Sequence, residues 1–119
     1  MTLPEDVRVL LADAFYGATY KSRKTPVDGD PRNQVIGPEH VYYGKIVGSS
    51  PAKDVYWAIG DTGYKNDPAS RQDGPHIWKK IGPQPDEWQY LGDSGGEICP
   101  KVPQVVIDVW GVRCSMDNY

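Results

Sequence analysis

Val55-Tyr56-Trp57-Ala58-Ile59-Gly60-Asp61-Thr62-Gly63 begins as a strand, with Val55, Trp57 and Ile59 on one face and Tyr56 and Ala58 on the other. That period of two, in β-branched and aromatic residues, belongs to a half-buried strand. Its end, Gly60-Asp61-Thr62-Gly63, reads as a turn, because glycine supplies positive φ while Asp and Thr side chains hydrogen-bond the local backbone. The same grammar returns in Trp88-Gln89-Tyr90-Leu91-Gly92-Asp93-Ser94-Gly95: a Trp, a short strand end, one aliphatic residue, then Gly-Asp-hydroxyl-Gly. The echo predicts two related strand-ending turns.

Working outward, strands are expected at His40 to Val47, Asp54 to Ile59, His76 to Ile81 and Glu87 to Leu91, separated by Gly, Pro, Ser and Asp clusters. Their short connections leave no room for crossover helices, so an antiparallel meander follows. Thr2-Leu3-Pro4-Glu5 has the form of a capping box. Leu3, Val7, Leu10, Leu11, Ala14 and Phe15 then mark one helical face until Gly17 offers a stop. One face of the sheet is expected to pack on this helix. Tyr20 to Pro38, with Pro26, Gly29 and Pro31, reads as a long irregular loop. Pro103 to Trp110 suits a helix by the spacing of Val105, Val106, Val109 and Trp110, although its β-branching also suits a strand. Pro103 at its start and Gly111 at its end favour the helix. The expected fold is α+β: an N-terminal helix on a meander of about four strands, with a short C-terminal helix.

At 119 residues the chain makes one domain, since two halves would each be too short to bury a core. A net charge of −3 gives no basic footprint for nucleic acid, and Lys21-Ser22-Arg23-Lys24 is too short to change that. No apolar stretch approaches the roughly 20 residues that cross a bilayer. Eight Tyr and four Trp stand against one Phe, so nearly every ring has a polar handle suited to a half-wet surface. Tyr43, Trp57, Trp78 and Trp88 are therefore candidate binding residues, with the hydrophobic core as their alternative placement.

Cys99 and Cys114 are the only cysteines. A metal site would need more ligands, and His40 and His76 lack zinc-finger spacing. A disulfide fits better than two unrelated buried thiols. Closing so short a loop is worth on the order of 3 kcal/mol in the chain-entropy model. Disulfides persist in oxidising compartments, which places the protein outside the cytosol, with a leader removed before the sequence seen here.

Gly92-Asp93-Ser94-Gly95-Gly96 spells the nucleophile loop of chymotrypsin-like proteases. That chemistry also needs a histidine base, a buried carboxylate and two β-barrels. Neither His40 nor His76 sits in the family's sequence context, and Glu97 replaces its proline. Asp61-Thr62-Gly63 and Asp93-Ser94-Gly95 likewise match aspartic-protease tripeptides, but the spacing is too short for two lobes and glycine precedes each Asp. Asp28-Gly29-Asp30 fails as a calcium loop, because Arg32 stands where the next ligand belongs. No catalytic residue, metal or cofactor is implied.

Gln72-Asp73-Gly74-Pro75, Trp78-Lys79-Lys80, Leu91 through Gly96, and Cys99-Pro100-Lys101-Val102-Pro103 through Trp110-Gly111 together resemble small exported proteins of actinobacteria that have no assigned function. The resemblance spans about Val55 to Cys114. It implies secretion or a lipoprotein-like precursor, supports a C-terminal helix, and brings no catalytic residues with it. The leading expectation is a secreted, non-enzymatic domain that binds or inhibits a protein partner through the 20–38 loop or exposed Tyr and Trp. The alternatives are an extracellular polymer, cell-wall or carbohydrate, held by the rings, or a small hydrolase using Ser94, His76 or Asp93.

Overall fold

In the computed structural model, which describes residues 5–19, 35–65, 75–84, 88–94, 97–99 and 101–114, the alternation at Val55–Ile59 sorts side chains into two separate cores. The elements are α1 (Glu5–Thr19), β1 (Val35–Ile46), β2 (Val55–Tyr64), β3 (His76–Ile81), β4 (Gln89–Asp93) and α2 (Gln104–Trp110). The strands form one antiparallel sheet in the order β1-β2-β3-β4. This is the expected α+β meander between two helices.

On one face Ala58, Tyr64, Trp78 and Trp88 meet Leu11, Ala12 and Phe15 of α1. A fully buried side chain of this kind contributes about 1.5–3 kcal/mol by leaving water. The Trp78 indole Nε1 donates to the Leu11 carbonyl at 2.9 Å, which fixes the height of the helix on the sheet. α1 runs past Gly17 to Thr19. The Thr19 hydroxyl bonds the Phe15 carbonyl at 2.8 Å and the Tyr64 hydroxyl at 2.7 Å, so tertiary contact carries the helix beyond its local stop. The capping box at Thr2 lies outside the described residues.

On the other face Trp57, Ile59 and Ile77 meet Ile98, Val102, Val106 and Ile107. Pro103 precedes α2 and Gly111 closes it, its N–H reaching the Ile107 and Asp108 carbonyls at 3.0 and 3.2 Å. Cys99 and Cys114 are joined in a disulfide with Cα atoms 4.9 Å apart. The Ile98 N–H donates to the Cys114 carbonyl at 2.8 Å beside it, so bridge and hydrogen bond together hold the C-terminal segment against the second core.

Three expectations are corrected. β4 begins at Gln89 and continues to Asp93, past the expected end at Leu91. β1 does not begin at His40 but at Val35, so the end of the 20–38 segment is strand; residues 20–34 lie outside those described. The chain tolerates Pro38 there because β1 is an edge strand and carries two one-residue bulges, between Ile36 and Glu39 and between Glu39 and Tyr42. Gly37 and His40 take positive φ within them. Gly60-Asp61-Thr62-Gly63, in turn, is not a turn: β2 continues through it to Tyr64, with Asp61 opposite Glu39 and Gly63 opposite Ile36. A Cβ on Gly60 would stand 3.0 Å from Val41 and 3.2 Å from Pro38, so glycine lets the bulged neighbour close in. The Thr62 hydroxyl, buried, donates to the Ile36 carbonyl at 2.7 Å.

Candidate functional site

The Gly-Asp-hydroxyl segments flank the start of β3. Gly60 pairs with His76 from one side and Asp93 pairs with it from the other. Gly92, at φ +107°, carries a one-residue bulge between Ile77 and Trp78 that shifts β4 against β3. Ser94 then ends the sheet, its N–H on the Pro75 carbonyl at 2.9 Å and its own carbonyl receiving the Glu97 N–H at 3.1 Å. The second segment is likewise strand as far as Asp93, past the expected end at Leu91, and its Gly95 lies outside the described residues.

Ser94 is 3% exposed. It lies across from Pro75, while successive residues of a strand face opposite ways, so His76 points to the other side of the sheet. His76 is itself buried under α1, its Nδ1 2.6 Å from the Tyr90 hydroxyl, with Phe15 edge-on at 5.7 Å and the Tyr90 ring stacked at 5.8 Å. The dyad that a serine nucleophile requires is not assembled across these two residues. The backbones of Asp61 and Asp93 stand two strands apart, roughly 10 Å by ordinary strand spacing. Carboxylates sharing a proton approach to about 3 Å.

Of the candidate binding residues, Trp57, Trp78 and Trp88 are buried and serve the two cores rather than a stacking surface. Trp57 faces α2, whereas Trp78 and Trp88 face α1. The four residues therefore form no single platform. Tyr43 and Trp88 do come together, 6.0 Å apart, along with Tyr56 and Lys80, which the sequence reading passed over. The register explains the meeting: Lys45 pairs with Tyr56, and Tyr56 with Lys80, in one row across the face that carries α1.

Lys80 is 7% exposed, and its ammonium lies 4.2 Å from the centre of the Tyr56 ring and 5.5 Å from that of Trp88. The ring faces favour the charged amine. Burial acts against it and pushes the Lys80 amine below the ordinary lysine range. Lys45 Nζ stands 5.7 Å over the same Tyr56 ring and 3.9 Å from Asp54. Burial raises the Tyr43 phenol, with smaller contributions from Tyr56 and Asp6.

A different surface lies at the edge of the other face. Val47, Val105 and Val109 are 73%, 57% and 79% exposed, yet they line one groove of about 250 Å³ together with Gly44, Lys45, Ile46 and Val106. Tyr42, also exposed, tilts against Trp110 at 6.0 Å beside it. Gly44 keeps the floor open: a Cβ there would stand 3.1 Å from the Trp110 indole nitrogen. A trace of this ridge is readable in the sequence. Val105/Val109 and Val106/Trp110 are two adjacent i, i+4 pairs, a wider apolar stripe than a seven-residue helix needs for one buried face.

Among the described residues no cluster of three His, Cys, Asp or Glu side chains is placed to hold a metal, and no helix is long and apolar enough to cross a membrane. Comparison with protein-family models, with curated proteins and with solved structures yields no match.

Proposed function

We propose that the protein is an exported, non-enzymatic domain that binds, and in binding can inhibit, a protein partner through the surface formed by α2 and the end of β1. The observation that carries this reading is the valine ridge. Three aliphatic side chains more than half exposed border one groove, and contiguous exposed apolar surface of this kind marks interaction sites. The disulfide ties together the segments on either side of the short helix, which limits the conformations to be ordered when it meets a partner. The burial of Ser94, and its separation from His76, support a binding role over hydrolysis.

Export is supported by the disulfide, which persists in oxidising compartments. A carbohydrate platform has less support, because the Trp57, Trp78 and Trp88 rings are enclosed in the cores.

The test is capture and inhibition by the immobilised chain, using extracellular proteins and a panel of secreted proteases. Wild type should retain or inhibit a specific protein. The Val105→Asp/Val109→Asp double variant, with an unchanged circular dichroism spectrum, should lose at least tenfold in affinity. Equal binding by both chains, or none by wild type, would reject this surface.

A further inference from the structure

We propose that the outer edge of β1 over Tyr43–Ile46 accepts an extended peptide segment as a fifth strand, with apolar side chains toward the valine groove and acidic ones toward Lys45. The inference rests on the protein-binding reading and adds the mode of docking and the chemistry of the partner.

β1 is the edge of the sheet, and among the described residues no strand pairs with its outer side. An exposed edge is a template for pairing unless bulges, prolines or charges spoil it. Those devices are concentrated in the first half of β1, where both bulges, Pro38 and the positive φ angles of Gly37 and His40 occur. From Tyr42 to Ile46 the register with β2 is unbroken. Alternate residues of such a stretch turn their N–H and C=O groups outward.

The two faces beside this edge differ. Gly44 and Ile46 line the groove under α2, where Val105 and Val109 leave apolar surface uncovered. Tyr43 and Lys45 belong to the opposite face, the latter with a 43% exposed side chain that forms a long ion pair with Asp54 at 3.9 Å and keeps its outer side open to a second carboxylate. A strand laid along β1 alternates in step with it, so the complement is an apolar residue on one side and an acidic residue on the other. The groove, near 250 Å³, falls below the roughly 300–1,000 Å³ of small-molecule sites. It suits a few aliphatic side chains.

The experiment adds synthetic peptides to the full chain and follows amide hydrogen exchange and affinity. Four Val-Glu repeats should slow exchange within Tyr43–Ile46 and bind at least tenfold more tightly than four Val-Lys repeats. N-methylation of alternate peptide nitrogens should abolish both effects, and Lys45→Glu should reverse the preference. Three results would overturn the proposal: no slowing at Tyr43–Ile46 at millimolar peptide, equal binding of the N-methylated peptide, or slowing that depends only on the chain's own concentration and so reports self-association. Loss of protein capture in the Val105→Asp/Val109→Asp variant while the edge amides stay unaffected would also overturn it, yet leave the binding surface itself standing.

Discussion

Gly92 supplies the backbone conformation on which the strand part of the protease-like motif depends. Its φ of +107° lets β4 bulge and then return to pair Asp93 with His76. Nothing crowds a Cβ at that position, so Gly92→Ala isolates the backbone strain. The variant should lose about 1–3 kcal/mol in a urea titration; an unchanged midpoint would show that the bulge relaxes without glycine. Tyr43 is tested by pH. Its phenol is raised above 10.0 in the folded chain, so the folded state holds a proton that the unfolded state gives up. The stability this contributes is complete below pH 10 and is lost as pH rises through the raised value. Tyr43→Phe should therefore match wild type in the slope of stability against pH through neutrality and fall less steeply above pH 10, read from thermal melts along the alkaline limb. Lys80 has the opposite sign, since its lowered amine makes stability rise as pH climbs to the ordinary lysine value. Comparison with wild type cancels that contribution. Tyr43 stands out in the sequence as one of the candidate binding rings, whereas Lys80 does not. Tyr56 and Lys80 become neighbours of Tyr43 and Trp88 only through cross-strand register, which a linear pattern does not contain.

At the scale of elements, the strands with clean alternation were readable and those with interruptions were not. His76–Ile81 is bounded as its composition predicts, and the two faces of Val55–Ile59 serve the two cores as the alternation requires. β1 was misjudged at its start because Gly37 and Pro38 are loop residues everywhere except at an edge bulge. The Gly60–Gly63 segment was misjudged because its turn chemistry is local, while its hydrogen bond from Thr62 to Ile36 joins residues 26 apart. α2 was legible through Pro103 and Gly111, and the disulfide through the cysteine count. Reduction of Cys99–Cys114 should cost about 3 kcal/mol on the loop-entropy model, and should do so unevenly. The Ile98 to Cys114 hydrogen bond and the packing of Val106 and Ile107 belong to the second core, whereas Leu11 and Trp78 belong to the first. Hydrogen exchange in reductant should accelerate at Val106 and Ile107 before it does at Leu11. Simultaneous acceleration would mean that the two cores unfold as one unit.

The whole molecule divides its apolar residues between folding and something else, and that division is measurable. Ile107 is enclosed in the second core, while Val105 and Val109 on the same short helix stand in solvent. Removing a buried isoleucine's atoms leaves a cavity, so Ile107→Ala should cost about 2–5 kcal/mol. A surface substitution away from caps and strained backbone should stay within about 0.5 kcal/mol, and Val105→Ser/Val109→Ser should therefore leave the thermal midpoint nearly unchanged. Serine and valine have about equal intrinsic helix propensity, so the exchange itself adds little. If the double serine variant keeps its stability but loses the capture activity of wild type, the valines are retained for recognition, since the fold has no use for them. If it destabilises the chain by as much as Ile107→Ala, the ridge is part of the core, and the groove it borders belongs to the packing of α2 on β1.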